Sequence, residues 1–332
     1  VYCIINERGT LKPGDHLSLT ALTRRFENMK LGFVSAILAD FSFEEVIDYA
    51  AENNFSCVEI MCWPKGKAER RYAGVTHIDV SDLNDTKVKY INDYIHQKGI
   101  QISALGYYPN PLDPDPEKRK FYIEHLKQII RAANKLGLKN INTFIGRDQT
   151  KNVEDNFRMF KEVWTPIIKF AEENNIKVGI ENCAMLFTLD EWPGGKNLAT
   201  TPAIWRRMFE EIPSENFGLN YDPSHLLWMQ MDYIKPIYEF KDRIFHVHIK
   251  DAKVYKDKLD EVGILATPLE FHAPKLPGLG DVNWGRFISA LTDIRYKGAT
   301  CIEVEDRAFE DSQESRKQSI ILSKRYMSRF IA

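Results

Sequence analysis

Three acids and one histidine in this chain hold comparable places. Glu181 lies in Lys177-Val-Gly-Ile-Glu-Asn182, Asp222 closes Phe217-Gly-Leu-Asn-Tyr-Asp222, His248 lies in Ile244-Phe-His-Val-His-Ile249, and Glu303 lies in Thr300-Cys-Ile-Glu-Val304. Each follows a short apolar or β-branched run and precedes loop-type residues, the place where a parallel α/β barrel presents its chemistry. Two Glu, one Asp and one His make a hard, oxygen-rich ligand set. Such a set suits Mn²⁺ or Mg²⁺, Mn²⁺ first, and can take Co²⁺ or Zn²⁺. Taken singly, each could be a strand-end acid or a core histidine. Four at successive strand ends are hard to read that way.

The elements that must position them can be counted. Strands are expected over 30–36, 57–62, 101–107, 140–145, 177–182, 217–222, 244–249 and 300–304, short and bounded by turn residues as strands buried on both faces are. Helices are expected over 42–52, 81–98, 116–136, 152–174, 202–211, 229–240, 283–296 and 311–330. Ser42 with Glu45 reads as a capping box, Pro116 as a first-turn proline and Gly137 as a stop. Strict alternation argues for a parallel sheet, and eight units without a Gly-x-Gly-x-x-Gly argue for a closed (β/α)8 TIM barrel. One catalytic domain is expected over 29–332, preceded by an extension, 1–28, that contains none of the candidate ligands and is dispensable for metal binding. Two long loops, 184–201 with Trp192 and 252–280 with His272 and Lys275, follow the fifth and seventh strands. Loops on that face usually shape a substrate pocket.

Composition narrows the partners. The 332 residues, 44% hydrophobic and 28% charged, fit one large α/β domain or two small ones. Forty-five basic residues against 47 acidic ones leave a net charge of −2, which favours neither nucleic acid nor an anionic membrane surface. No apolar run approaches the ~20 residues that span a bilayer. The start, Val1 to Ile5, is too short for a signal-peptide core. Five cysteines without a Cys-x-x-Cys pair suggest reduced thiols and a cytoplasmic protein.

Alternation along the strands puts His246, His248 and Lys250 on one face, Glu303 and Glu305 on one face, and Asn220 and Asp222 on one face. Charge in such rows is costly unless it points into a polar pocket. Asp222-Pro-Ser-His225 then aims a second imidazole over that pocket. His225, His246, Lys250 and Asn182 are the candidate substrate contacts.

With Gly179-Ile-Glu-Asn182, His246-Val-His-Ile-Lys-Asp251, Leu276-Pro-Gly-Leu-Gly-Asp281 followed by Trp284, and Ile302-Glu-Val-Glu-Asp306, that turn makes an ordered set. In this order, along 29–330, the chain resembles the xylose isomerase-like family of sugar isomerases and epimerases, which includes D-tagatose 3-epimerase and inosose-processing enzymes. The resemblance implies that Glu181, Asp222, His248 and Glu303 bind one divalent cation and that Glu181 and Glu303 also move protons. It implies a contact between His225 and a substrate oxygen. Ketose epimerases of the family carry an Arg six residues after the metal His; here that residue is Val254, so the sugar contacts on that side must differ.

The implied activity is that of a divalent-metal-dependent sugar or polyol isomerase or epimerase, which removes a proton next to a carbonyl through a metal-stabilised enediolate. The alternative is a lyase that eliminates the aglycone from 3-oxo-glycosides, the catalytic subunit of a C-glycoside deglycosidase type. A phosphodiesterase like endonuclease IV would need more than the eight histidines present and a less acidic chain. A catalytically silent binding protein would have no need of an intact quartet. The expected partner is a small carbohydrate, with no nucleic acid and no membrane. The chain is expected as a homo-oligomer or in complex with a small partner subunit.

Overall fold

The apolar runs around the candidate acids are strands covered on both faces, outside by helices and inside by side chains. In this computed structural model, residues 29–66, 72–186 and 195–331 are described; the expected extension 1–28 and Trp192 lie outside them. Ten strands occur among the described residues: β1 (Lys30–Val34), β2 (Cys57–Met61), β3 (Gln101–Gly106), β4 (Asn140–Thr143), β5 (Lys177–Glu181), β6 (Phe217–Tyr221), β7 (Ile244–Ile249), β8 (Asp251–Val254), β9 (His272–Lys275) and β10 (Ala299–Ile302). All but β8 and β9 are parallel and close into one barrel, with β10 pairing back onto β1. All eight expected strands are present in the expected order.

The helices between them start where side chains can cap them. Ser42 and Glu45 form the full capping box ahead of Phe43–Glu52. Asp115 caps Pro116–Lys135, with proline in the first turn. Two buried indoles fix the chain around the barrel: Trp164 Nε1 donates to the Ile145 carbonyl beyond the end of β4 at 3.0 Å, and Trp205 Nε1 to the Ala199 carbonyl in the loop before its own helix at 2.8 Å. No described helix is long and apolar enough to cross a membrane.

Three expectations need correction. The second helix starts at Asp85, not at residue 81, because Asn84 supplies the cap and a 3-10 turn, Val80–Asp82, precedes it. Of the helix expected over 229–240 only Lys235–Glu239 is helical, and a separate short helix, Pro223–Trp228, precedes the range. Gln230 takes a left-handed backbone (φ 60°), and the Asp232 carboxylate accepts from the Ile234 and Lys235 amides, so the chain turns and restarts. The long segment 252–280 is not a bare loop. Its ends form the antiparallel hairpin β8–β9, and a helix, Lys256–Val262, lies between them.

One buried histidine ties together the ends of β1 and β2, which border the site described below. The Ser35 hydroxyl accepts from the Met61 amide at 2.9 Å and donates to His77 Nδ1 at 2.9 Å, while His77 Nε2–H donates to the Leu38 carbonyl at 3.1 Å. This pattern requires a neutral ring, and burial lowers the His77 pKa below its ordinary value. The unfolded chain therefore takes up this proton first. The stability from His77 is present above about pH 6.5 and is lost as pH falls through the folded value. NMR of the ring nitrogens should find the Nε2–H tautomer more than half populated at about pH 6.5. His77→Ala should cost about 1–3 kcal/mol in urea unfolding, because it strands the Ser35 hydroxyl and the Leu38 carbonyl. A ring mostly charged at that pH, or no loss of stability, would contradict the assignment.

Candidate metal centre and active site

The quartet converges from four strand ends. Glu181 is the last residue of β5, Asp222 and Glu303 follow β6 and β10 directly, and His248 lies in β7. One ligand atom from each lies within 4.8 Å of all the others. Asp222 divides its carboxylate between two tasks. Oδ1 accepts from the Ser224 amide at 2.7 Å and caps the helix Pro223–Trp228; Oδ2 is buried with no hydrogen bond. His225 Nε2, also buried without a hydrogen bond, lies 3.3 Å from that oxygen and 3.5 Å from Glu181 Oε1. Three carboxylates and one imidazole, with one carboxylate oxygen held by no hydrogen bond, fit a hard divalent cation.

Lys250 extends into the same space. Its buried ammonium lies 2.6 Å from Glu303 Oε2, 3.1 Å from Asp222 Oδ2, 3.7 Å from Glu181 Oε1 and 3.2 Å from Glu305 Oε2. Burial acts to raise both glutamates, yet the Lys250 charge, with help from His248, holds Glu181 well below its ordinary value and Glu303 at about 2.

Sequence reasoning missed the layer beneath. Glu59 of β2 is fully buried, and its Oε2 accepts from His248 Nε2 at 2.8 Å and from Asn142 Nδ2 at 3.0 Å, while Tyr108 donates to Oε1. His248 Nδ1 is thereby aimed at the quartet, 3.4 Å from both Glu181 Oε1 and Glu303 Oε2. A carboxylate behind the imidazole fixes the tautomer and orients the ring of a metal-binding histidine. Gly106 makes room for Glu59, since a Cβ there would stand 2.6 Å from Oε1. The available signal was an acid inside an otherwise apolar run, Cys57-Val-Glu-Ile-Met61.

Two expected substrate contacts are placed elsewhere. His246 lies one layer deeper, with Nδ1 on Asn220 Oδ1 at 2.9 Å and Nε2 on Ser103 Oγ at 3.1 Å, and it borders neither cleft. Asn182 clamps the Asp222 backbone, accepting from its amide and donating to its carbonyl, each at 2.9 Å. Both amide ends of Asn182 thus hold the Asp222 backbone in place. His225 and Lys250, by contrast, join the quartet.

One cleft opens over the quartet and a second lies beside it. The first has an apolar wall with Val34, Met61, Trp63 and Phe144 and a floor with Glu181, Lys250 and Glu303. The second is bordered by His225, Trp228, His272 and Ser224. Cys183, Met185, Lys250 and Glu305 border both. His272 stacks on Trp228 with ring centres 5.0 Å apart, donates from Nδ1 to the Pro268 carbonyl at 2.6 Å, and is lowered to about 4 by burial. Lys275 instead pairs with Asp306 at 3.2 Å and borders neither cleft. The hairpin is moored by Asp251. Its two oxygens accept from the amides of Ala252, Gly278 and Val282 and from the Trp284 indole, at 2.8–3.0 Å. The Leu276 to Trp284 motif therefore folds a loop and touches no substrate space directly.

The family model described as a xylose isomerase-like TIM barrel matches residues 47–326. The chain is 25% identical to the uncharacterized protein YfiH of Bacillus subtilis, over 88% of this chain and 99% of that one. It is 23% identical to an inosose dehydratase of Clostridium perfringens, over 84% of this chain and 90% of that one. Among solved structures it is similar to D-psicose 3-epimerase from Clostridium cellulolyticum (16% identity, 91% of this chain and 99% of that one, TM-score 0.66). It is also similar to the IOLI protein with a bound zinc atom (18% identity, 91% and 99%, TM-score 0.68). At such identities the structural likenesses speak for the fold.

The buried hydrogen bond from His248 to Glu59 yields a direct test. Glu59→Gln removes the negative charge behind the ring while keeping its size. Calorimetric titration with Mn²⁺ should give an affinity about 10–100-fold weaker than wild type. Equal affinity would mean that Glu59 serves only the packing of the barrel.

Proposed function

Because the chain belongs to the xylose isomerase-like TIM barrel family, we propose that it is a divalent-metal-dependent isomerase or epimerase acting on a sugar or polyol ketone. Glu181, Asp222, His248 and Glu303 would hold the ion, with Mn²⁺ the best match to three carboxylates and one imidazole and Mg²⁺, Co²⁺ or Zn²⁺ as further candidates. When bound, a divalent cation polarises a carbonyl as a Lewis acid and so makes the neighbouring C–H acidic enough to lose its proton.

One observation carries the reading. Of the three quartet carboxylates, Glu181 and Glu303 border the first cleft, while Asp222 is fully buried beneath it. Two ionised carboxylates at the floor of one cleft can act as base and acid on a substrate between them. Removal of a proton by one and its return by the other inverts a carbon centre. Return to the neighbouring carbon moves the carbonyl. His225 Nδ1 accepts from the Trp228 indole at 3.4 Å, so Nε2 carries the proton and can donate to a substrate oxygen.

That proton also favours a second reading, elimination. A donor beside the base can protonate a departing hydroxyl or aglycone oxygen, as a dehydratase or a 3-oxo-glycoside lyase requires. The inosose dehydratase relatives fit this branch and the psicose epimerase neighbour fits the first. Both begin with the same proton removal.

The Mn²⁺-loaded protein should be incubated in D₂O with ketoses, inososes and 3-oxo-glycosides and followed by NMR. Deuterium is expected at the carbon next to the carbonyl in an inverted or rearranged sugar, and loss of the hydrogen from that carbon is expected where a leaving group departs. An inverted or rearranged sugar identifies the isomerase branch, and loss of water or aglycone identifies the lyase branch. Glu303→Gln should lower kcat about 10²–10⁴-fold. An inverted or rearranged sugar formed without deuterium uptake under single-turnover conditions, or an elimination product that keeps the original C–H next to the carbonyl, would contradict proton abstraction.

A further inference from the structure

Lys250 is a quartet neighbour to which the proposed chemistry gives no task. It is 3% exposed, and its ammonium reaches oxygens of Glu181, Asp222 and Glu303, three of the four residues proposed as metal ligands. Carboxylates gathered this closely repel one another, and in a buried place that repulsion is poorly screened. They need positive charge among them. The ammonium supplies it from a flexible four-carbon stem. A divalent ion would need the same oxygens.

We propose that Lys250 is a built-in rival of the metal: its ammonium and the divalent cation are alternative occupants of one carboxylate cradle. The inference rests on the metal-site reading above. Glu305 makes the exchange feasible. Its Oε2 lies 3.2 Å from the Lys250 ammonium, and it does not belong to the quartet. The ammonium can therefore release Glu303, Asp222 and Glu181 and keep one carboxylate partner. Lys250 and Glu305 both border the two clefts, so the displaced ammonium stays on their shared wall. There it can meet a hydroxyl or an anionic oxygen of the substrate. Two properties follow: the cradle stays charge-balanced and folded through loss of metal, and metal affinity is held below what the ligands alone would give.

The test uses the full chain, stripped of metal and titrated with Mn²⁺ by calorimetry, with thermal unfolding read in parallel. Lys250→Met keeps an unbranched chain one atom shorter and removes the charge. It should bind Mn²⁺ at least about tenfold more tightly than wild type, and its metal-free form should unfold at a lower temperature that saturating Mn²⁺ restores. Lys250→Arg, which keeps the charge, should stay near the wild-type affinity. Binding by Lys250→Met equal to or weaker than wild type, with unchanged thermal stability, overturns the rivalry and leaves the metal site standing. A Lys250→Met chain that stays unfolded in saturating Mn²⁺ overturns it too, because the metal would then not replace the ammonium. Absence of Mn²⁺ binding in both proteins overturns the metal-site reading and this inference with it.

Discussion

Negative charge buried inside a closed barrel is the constraint on which this structure turns. Glu59 and Asp222 are fully buried, Glu181 is 3% exposed, and Glu303 lies beside them. Burying an ionised carboxylate costs several kcal/mol unless charge and hydrogen bonds compensate it. The compensation is arranged in two layers with His248 between them. One face of its ring meets Glu59, held also by Tyr108 and Asn142, and the other faces Glu181 and Glu303. Burial acts to raise the Glu59 carboxyl, but the His248 and His246 rings hold it below its ordinary value. The small residues of the barrel serve the same end, since Gly106 leaves space for the Glu59 side chain.

Around that axis, many polar side chains at strand ends hold backbone in place. Asn182 fixes the Asp222 peptide, Asn197 Nδ2 donates to the Glu181 and Cys183 carbonyls, and Asp251 gathers four donors into one turn. A cradle built this way has little freedom to reshape itself around a ligand, which is what positioning of reacting groups demands. The variable parts are the walls. One cleft offers Met61, Trp63 and Phe144, the other His225 and the stacked pair of Trp228 and His272. The two clefts share Cys183, Met185, Lys250 and Glu305 on their common border.

The barrel and the quartet were legible in the sequence because both obey short-range rules. Strands buried on both faces are continuous apolar runs, and a polar residue at the end of such a run is conspicuous. Function and support could not be told apart in the same way. Asn182, His246 and His225 each sit in one of the ordered motifs read from the sequence, yet only His225 borders a cleft. The difference depends on which partner the fold brings opposite, such as Asn220 for His246, and no spacing rule states it. Glu59 was missed because its partner His248 lies 189 residues away, although an acid within Cys57–Met61 had to have one. The hairpin β8–β9 escaped because four-residue strands, one with Pro274, carry almost no periodic signal.

In the metal site proposed above, one cation lies among three carboxylates and a single imidazole presented by its Nδ1. X-ray absorption spectroscopy of the Mn²⁺-loaded chain reads that shell. The spectrum should show a first shell of oxygen with one nitrogen, the outer-shell scattering of a single imidazole, and no sulfur, at one metal per chain. A shell containing sulfur, two or more imidazoles, or only water-like oxygens would contradict it.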